Sequence, residues 1–421
     1  MQPLNSIPSS APKNQSRWHI FCRVVDNYGD IGVCWRLAKQ LAQEHKIAVT
    51  LWVDDLVSFN AICPPVNPRS SEQTVVGIGI RQWPTLHTTF TPDVIPDVII
   101  EAFACELPAH YRLAMQQKWQ QHSTAQLQTK RALTTQAFAW INLEYLSAEP
   151  WVESCHLSPS PVEGMRKTFF FPGFSAKTGG LMFDHTLIEL GQKLQQPREQ
   201  QAAIERLCQR TQTPTPPQAA RHISLFAYPN APIKSLIDAL MADNKPTQLW
   251  LLGDNLNEAM AKLMGHPVVS SHQYRQGHLN ITCLPMLAQN DYDLLLALAD
   301  FNCVRGEESF VRAQMLGKPM LWHIYPQEEH AHHDKLDAFL NHYCDCDTSD
   351  NTLNELIKQL HQLWNGVANP EEKIHYLNQK PWPDTLKLMT QWQEHAKIWQ
   401  QKLLNNGDLT TKLVRFCSSL V

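Results

Sequence analysis

The sequence predicts an α/β protein with two doubly wound domains, and three observations support this prediction. The chain has 421 residues with a hydrophobic content of 43% and 13 tryptophans, which provides enough apolar material for two cores. Patterns typical of buried strands and amphipathic helices alternate from Trp18 to about Leu181, as in a parallel sheet covered by helices. The proline-rich segment TQTPTPP at 211–217 interrupts this pattern, and the same alternation resumes at His222.

The individual elements follow from short apolar runs and their spacing. In the first half, strands are predicted at 19–25, 47–53, 97–103 and 139–143, with a helix at 33–41. A glutamine-rich helical stretch at about 186–210 precedes the second half, where strands are predicted at 222–228, 248–252, 279–284, 301–304 and 320–324. Two amphipathic helices are predicted at 384–401 and 409–420.

The turn after the first strand carries two carboxylates, Asp26 and Asp30, at the edge of the sheet where ligands bind in α/β proteins. Gly29 and Gly32 are expected to let the backbone turn sharply and to let a ligand approach closely. The turn lacks the G-x-G-x-x-G pattern, and its acidic side chains would repel a pyrophosphate. Two aspartates four residues apart suit a task on a cation or a proton. The alternative is that Asp30 only N-caps the helix while Asp26 only solvates the turn.

A second segment with chemical character follows the strand predicted at 301–304. Arg305, Gly306 and Ser309 stand where a helix begins, and the free N–H groups of helix N-termini bind phosphates. Glu307 or Glu308 could accept hydrogen bonds from sugar hydroxyls. Acidic residues beside a helix start, followed by G-x-P and a strand, are common in the nucleotide-sugar half of GT-B glycosyltransferases.

Together these stretches resemble one family, the bacterial elongation factor P arginine rhamnosyltransferases (EarP), over nearly the whole chain from Trp18 onward. The resemblance rests on VDNYGDIGVCWR at 25–36, FPGF at 171–174 with TGG at 178–180, FNCVRGEESFVRAQ at 301–314, and LWHIYPQ at 321–327. It implies a GT-B fold, in which two Rossmann-like domains face each other across a cleft and C-terminal helices return to the N-domain.

This fold implies a domain plan for the chain. A disordered leader is expected at 1–16, which is rich in Pro, Ser and Asn. An acceptor-binding domain is expected at 17–181 and a nucleotide-sugar domain at 182–395. A helix that packs back on the N-domain is expected at 396–421.

The resemblance also implies an activity. Family members are implied to move L-rhamnose from dTDP-β-L-rhamnose, with inversion, to one arginine of elongation factor P, supporting relief of polyproline stalling. Because a guanidinium stays protonated at physiological pH, a carboxylate pair can grip it and accept its proton. Asp30 resembles the general base, Asp26 its orienting partner, and Glu307 a third catalytic carboxylate. The alternatives are another GT-B nucleotide-sugar enzyme, with a different acceptor or acting as an epimerase, and a non-catalytic protein that binds elongation factor P.

The donor site is likewise predicted by resemblance. Gln289 would hydrogen-bond the thymine edge, and Met286 stands where relatives have an aromatic ring that stacks on the base; methionine can cover that face. Arg305 would meet the diphosphate as a charge-assisted donor. Phe226 could equally be a core aromatic. The predicted donor-binding residues are Tyr28, Gly29, Phe226, Tyr228, Met286, Gln289, Tyr292, Arg305, Gly306, Glu308, Ser309 and Tyr325.

Composition limits the partners and the location. A net charge of −4 and a pI near 6.5 argue against nucleic-acid binding and fit a protein partner with a basic face. The eleven cysteines contain no C-x-x-C pair, which favours reduced thiols in a cytoplasmic protein. Because no apolar run approaches the length of a membrane span, no membrane contact is expected.

A metal ion is not expected at the active site. No convincing D-x-D stands at a strand end, since Asp345 and Asp347 lie outside the motifs. The run EEHAHHD at 328–334 is rich in metal-ligating residue types but matches no known zinc spacing. The sequence therefore predicts metal-independent transfer, with the donor substrate and no cofactor.

Overall fold

The computed structural model describes residues 15–26, 28–128, 136–217, 221–327, 331–347, 351–367 and 381–421. These residues form two compact units. Unit 1 consists of the residues up to Met182 together with Gly407–Val421, and unit 2 is Phe183–Asn406. Nearly all of the predicted leader at 1–16 lies outside the described residues, as do Glu328, Glu329 and His330 of the acidic and histidine-rich run.

Unit 1 is a doubly wound α/β domain. Its strands are β1 (Arg17–Cys22), β2 (Ala48–Val53), β3 (Glu72–Val75), β4 (Ile78–Gln82), β5 (Val98–Ala102), β6 (Ala139–Leu143), β7 (Pro159–Val162) and β8 (Met165–Phe170). Its helices before Met182 are α1 (Gly29–Gln43), α2 (Leu56–Ile62), α3 (Ala109–Gln128) and α4 (Trp151–Cys155). The described strands lie in the order β3-β4-β2-β1-β5-β6-β8-β7, parallel except for the edge strands β3 and β7. Every residue of β5 and β6 is buried, as expected for central parallel strands.

The two edge strands were not predicted, and both belong to tight hairpins. Val76 and Gly77 join β3 to β4 with φ of 52° and 79°, and Glu163 and Gly164 join β7 to β8 with the same pair of angles. Positive φ at both central residues is the signature of a type I′ turn, which usually carries Asn-Gly or Asp-Gly. Valine and glutamate at the first position removed the sequence signal for these hairpins.

Unit 2 repeats the doubly wound plan. Its strands are β9 (Arg221–Leu225), β10 (Thr247–Leu252), β11 (Gln273–Gln276), β12 (Leu279–Leu284), β13 (Phe301–Arg305) and β14 (Met320–His323), in the order β11-β12-β10-β9-β13-β14. All neighbouring pairs are parallel except the hairpin of β11 and β12. Its helices are α5 (His185–Lys193), α6 (Pro197–Thr211), α7 (Ile233–Ala242), α8 (Asn257–Met264), α9 (Gln289–Leu298), α10 (Glu308–Met315), α11 (Ala331–Cys344), α12 (Asn351–Asn365), α13 (Pro381–Lys387) and α14 (Met389–Asn406).

One helix returns to unit 1, as the GT-B prediction requires. Helix α15 (Leu409–Ser418) places Leu409, Leu413 and Cys417 in the core of unit 1. The Thr410 hydroxyl donates to Gln40 Oε1 at 2.8 Å, which ties this helix to α1. Two α/β units with a returning helix confirm the predicted fold class.

The point at which the chain passes from unit 2 back to unit 1 lies later in the chain than predicted. The sequence predicts that the returning segment begins at 396, whereas in the structure it begins at Gly407. Ala396, Trp399 and Leu403 are buried in unit 2, and the Trp399 indole donates to Gln314 Oε1 at 2.7 Å. Helix α14 therefore belongs to unit 2 along its whole length.

In each sheet the chain first adds strands on one side of its first strand and then continues on the other side. In unit 1 the point of change lies between β1 and β5, and in unit 2 between β9 and β13. Ligands of open α/β sheets bind at the carboxyl ends of the strands on either side of such a point. The motifs singled out in the sequence follow β1, β9 and β13, so the strand order points to the same residues independently.

In the described part of the chain, no helix combines the length and apolar character that crossing a membrane requires. All eleven cysteines are free thiols.

Candidate active site

The carboxylate of Asp30 is held by three hydrogen-bond donors at the switch point of unit 1. Oδ2 accepts from the Val25 amide at 2.7 Å and from the Asp26 amide at 2.9 Å. Oδ1 accepts from the Tyr145 hydroxyl at 3.0 Å. Asp30 is only 3% exposed, so its charge acts in a medium far less polarisable than water.

The structure excludes the interpretation of Asp30 as an N-cap. Helix α1 begins at Gly29, so Asp30 lies inside its first turn, and the N-cap position is Tyr28, which makes no side-chain capping bond. An N-cap oxygen accepts from amides further along the helix. Asp30 instead accepts from amides that precede it, and it thereby fixes the loop that leaves β1.

The expected role of the two glycines is also corrected. Neither Gly29 nor Gly32 has a positive φ; both are helical, so neither makes the sharp turn. Gly29 instead permits a close approach, because a Cβ there would lie 2.8 Å from Asp26 Oδ2. Tyr28 packs its half-buried ring against the unit 1 core. Donor contacts of Tyr28 and Gly29 stay predictions.

The sequence did not point to Tyr145, which the fold brings to Asp30, or to Phe103, which packs on Tyr145. The two rings stack with centroids 4.3 Å apart and planes at 13°. Phe103 follows β5 and Tyr145 follows β6, so they stand at the carboxyl edge of the sheet, one and two strands away from β1. The sequence contained a usable signal, since one predicted strand ends at Phe103 and another ends two residues before Tyr145.

The loop after β5 is strained. Phe103, Ala104 and Glu106 have φ of 55°, 51° and 54°, a region that costs a residue with a side chain roughly 1–3 kcal/mol. Buried Glu101 restrains this loop by accepting from the Glu106 amide at 3.1 Å through Oε1. Its Oε2 accepts from the Trp140 indole at 3.1 Å, so the carboxylate is itself fixed.

In unit 2, the guanidinium of Arg305 lies between two aromatic rings. Its carbon is 4.2 Å from the ring centre of Phe226 and 4.8 Å from that of Tyr228. Arg305 is only 7% exposed. Among the described residues, no carboxylate pairs with it and no side chain or carbonyl accepts from its guanidinium. A nearly buried cation without a counter-charge is suited to binding an anion.

The neighbours of Tyr228 extend this aromatic site. Its amide donates to His323 Nδ1 at 3.3 Å, and its ring centre lies 5.7 Å from that of Tyr325. Burial, followed by the positive charge of Arg305, lowers the pKa of His323 to about 4. His323 is therefore neutral at physiological pH and accepts at Nδ1, and Arg305 carries the positive charge here.

The amino end of helix α10 faces the same loop. Its N-cap is Glu307, whose side chain makes no capping bond, and Gly306 before it has φ of 59°. The Trp322 indole donates to the Gly306 carbonyl at 2.7 Å, which fixes the loop. The Ser309 hydroxyl is used internally, since it accepts from the Arg305 amide at 3.2 Å. The backbone amides of the first helical turn, rather than this hydroxyl, are thus the groups suited to an anion.

Met286 and Phe226, two of the predicted donor-binding residues, both lie close to Gly253. A Cβ on Gly253, whose φ is 72°, would lie 3.7 Å from Met286 Cε and 4.0 Å from Phe226 Cε2. Phe226 and Tyr292 make an edge-to-face contact at 5.7 Å. Gln289 is buried as the first residue of α9, three positions before Tyr292. Phe226 therefore belongs to an aromatic cluster that also contacts Arg305, and contacts of these residues with a donor stay predictions.

Arg312, although it lies in the motif at 301–314, has a structural role. Its guanidinium donates to both oxygens of Asp293 at 3.0 and 2.7 Å and to Asp184 at 3.0 Å. Asp184 in turn caps α5 by accepting from the Leu187 amide at 2.7 Å. Burial alone would raise the pKa of Asp184, but Arg312, Thr186 and the Leu187 amide together lower it to about 2.

Among the residues with described positions, no group of three His, Cys, Asp or Glu side chains is arranged to hold a metal ion. His332 lies in the acidic and histidine-rich run and accepts from the Gln327 amide through Nδ1 at 3.1 Å. This nitrogen is therefore used to fix the backbone.

Comparison with known proteins gives concordant matches. A family model described as elongation factor P (EF-P) rhamnosyltransferase EarP matches residues 18–418. The protein-arginine rhamnosyltransferase of Pseudomonas putida is 41% identical over 404 residues, covering 96% of this chain and 98% of that protein. That of Shewanella oneidensis is 40% identical over 419 residues, covering 97% and 99%. A solved structure, described as the structural basis for EarP-mediated arginine glycosylation of translation elongation factor EF-P, has a TM-score of 0.62 at 28% identity and covers 97% of this chain and 100% of that chain.

Proposed function

Because this chain belongs to the elongation factor P rhamnosyltransferase family, we propose that it transfers L-rhamnose from dTDP-β-L-rhamnose to an arginine of elongation factor P. Transfer proceeds with inversion at the anomeric carbon and without a metal ion. Asp26, Asp30 and Glu307 are the proposed catalytic carboxylates, the first two in unit 1 and the third in unit 2.

The anchored carboxylate of Asp30 is the observation that carries this proposal. Three donors hold it in one orientation, and it is almost fully shielded from solvent. A guanidinium is a poor nucleophile because it stays protonated, so its nitrogen needs a base within hydrogen-bond reach. A fixed carboxylate can bind the flat cation, aim one nitrogen, and take its proton as the bond to sugar forms.

The donor would bind at the carboxyl edge of the unit 2 sheet. Arg305 and the amides that begin α10 suit the diphosphate, and the edge of Gln289 with the face of Met286 suits the thymine. Phe226 and Tyr228 border the same space. Because Arg305 supplies a positive charge where the leaving group develops negative charge, these groups supply the stabilisation that many transferases obtain from a metal ion.

The proposed step is a single displacement. A nitrogen of the arginine forms a bond to the anomeric carbon, while the bond from that carbon to the diphosphate oxygen breaks and dTDP leaves. One proton passes from that nitrogen to Asp30, and the product retains the positive charge of a guanidinium. Attack on the face opposite the leaving group inverts the anomeric configuration.

Intact mass spectrometry of elongation factor P tests the proposal. After incubation with this protein and dTDP-β-L-rhamnose, the acceptor should gain one deoxyhexose, which fragmentation should locate on an arginine. The anomeric configuration is then read by NMR. Excess EDTA should leave the rate unchanged. An unmodified acceptor would refute the activity, and loss of rate restored by Mg²⁺ would refute the metal-free step.

A further inference from the structure

A tyrosine outside the sequence motifs contacts the proposed base, and a phenylalanine stacks on that tyrosine. The hydroxyl of Tyr145 provides the side-chain hydrogen bond to Asp30 Oδ1, at 3.0 Å, whereas Oδ2 is held by the backbone. The ring of Tyr145 lies parallel to that of Phe103 at 4.3 Å. We propose that Tyr145 is a positioning residue, which sets the orientation of the Asp30 carboxylate and is itself set by Phe103.

The backbone around this pair favours a fixed arrangement over a loose one. The Phe103 amide donates to the Leu143 carbonyl at 2.7 Å, and the Cys105 amide donates to the Ala102 carbonyl at 3.1 Å. These bonds hold Phe103 at its positive φ, together with the contact from Glu101 to the Glu106 amide. Moving the backbone of Phe103 out of this conformation would break these hydrogen bonds, so the direction in which its Cα–Cβ bond points is fixed.

The hydroxyl of Tyr145 is directed at the Asp30 carboxylate although the residue is half-exposed. At 37% exposure, burial of the ring does not by itself dictate where its hydroxyl points. The bond to Asp30 joins residues 115 positions apart and connects the end of β6 to the first turn of α1. A phenol that donates to a carboxylate stabilises the ionised form, which is the form that must be present when the acceptor arginine binds.

The inference rests on the proposed role of Asp30 and adds a function to two residues that otherwise pack at a loop. If Tyr145 acts through Asp30, its hydroxyl should matter for turnover and little for donor affinity. If Phe103 acts through Tyr145, then its own effect should disappear once the hydroxyl is gone.

The test compares Tyr145→Phe, Phe103→Leu, the double variant and Asp30→Asn in the full chain, with elongation factor P and dTDP-rhamnose as substrates. Tyr145→Phe should lower kcat roughly 10- to 100-fold, in line with loss of a hydrogen bond to a charged group, with donor KM within about twofold. Phe103→Leu should lower kcat less, and the double variant should match Tyr145→Phe alone. Tyr274→Phe is the matched control, since its hydroxyl accepts from the Val269 amide at 2.9 Å within unit 2, and it should retain the full rate.

Donor affinity and thermal stability separate positioning from general damage. A residue that acts only by orienting Asp30 should lower kcat while the Kd for dTDP and the Tm stay near the wild-type values. A merely structural change would lower the Tm or weaken dTDP binding together with the rate.

The variants distinguish an error in the role of Asp30 from an error in the role of Tyr145. If Asp30→Asn retains near-normal turnover, the proposed base is wrong. If Asp30→Asn is inactive while Tyr145→Phe matches the wild type in kcat, the positioning role alone is wrong. Additive losses in the double variant would show that Phe103 does not act through Tyr145.

Discussion

Arg305 and Phe226 form the central contact of the unit 2 site, with the guanidinium carbon 4.2 Å from the ring centre. Stacking of this kind gains about 2 kcal/mol or more when the cation is desolvated, which offsets part of the cost of taking Arg305 from water. It leaves the N–H groups at the edge of the guanidinium plane for other partners. The ring therefore stabilises the charge without neutralising it.

Arg305→Ala should weaken binding of dTDP by roughly 10- to 100-fold and binding of thymidine much less. The lost interaction is with the diphosphate, which thymidine lacks. Isothermal calorimetry with both ligands measures the difference. Arg275→Ala is a suitable control because Arg275 is exposed and its Nε donates to the carbonyl of neighbouring Gly277 at 3.4 Å. Equal weakening of both ligands would assign Arg305 a structural role.

Asp30→Asn should abolish transfer while dTDP affinity stays nearly normal. Asparagine can still accept a hydrogen bond from the loop amides, but it neither takes a proton nor pairs with a guanidinium. Asp54→Asn is the control at the same sheet edge, where Asp54 accepts from the Val24 amide at 2.9 Å. Acceptor mass and dTDP calorimetry are the two measurements.

Elongation factor P with lysine in place of its target arginine should not be rhamnosylated. In the proposed mechanism Asp26 and Asp30 together bind a flat, forked cation, whereas an ammonium is a compact charge on a stem of different reach and stays protonated beside one carboxylate. A short linear peptide bearing the arginine should also be a poor acceptor, since the enzyme is expected to recognise a folded surface. Comparable rates on the intact protein, the lysine variant and the peptide would argue against a guanidinium clamp.

Arg312→Lys should destabilise unit 2 by about 2 kcal/mol, because a lysine cannot reproduce the two-pronged contact to Asp293 and also reach Asp184. For a unit of this size the corresponding fall in Tm is roughly 4–8 °C. Lys262→Ala, at an exposed pair with Glu258, should leave Tm unchanged. A Tm of Arg312→Lys equal to the wild type would show that the buried network contributes little.

Stability should fall as the pH drops from about 6.5 to about 4. Burial lowers the pKa of His156, His323 and His361 to about 4, so the unfolded chain binds protons first as pH falls. Their contribution is complete above pH 6.5 and is lost progressively toward pH 4, on the order of 2–3 kcal/mol for each fully buried ring. His323→Gln should flatten the dependence of Tm on pH in this window. An unchanged slope for His323→Gln would mean that this ring titrates normally.

Much of this architecture could be predicted because central parallel strands leave a strong apolar signal. The predicted strands at 139–143 and 279–284 have the bounds of β6 and β12, whose residues are all buried. The hairpins gave no such signal, since their edge strands are partly exposed. The start of α1 was misplaced because Gly29 and Gly32 are weak helix formers. The hydrogen bonds that Asp30 accepts from the amides of the preceding loop compensate for them.

The site was predictable where its members are close in sequence. Asp26 and Asp30, or Arg305 and Ser309, lie within single motifs. Tyr145 was missed because it meets Asp30 only through the order β1-β5-β6, and periodicity along the chain does not give strand order. The function of Arg312 was invisible for the same reason, since Asp184 lies 128 residues away.

The return of α15 to unit 1 has a consequence for biosynthesis. Leu409, Leu413 and Cys417 complete a core whose other members are made before residue 182, so the ribosome produces all of unit 2 while that core lacks its last apolar face. During synthesis, unit 1 therefore stays partly formed, with that apolar face uncovered, until residues 409–418 have been made. Gly180 marks the docking point, since a Cβ there would collide with the carbonyl oxygen of Gly407. During translation, chaperones should therefore bind mainly to the first half of the chain. The fold of unit 1 is completed last, although most of its residues are made first.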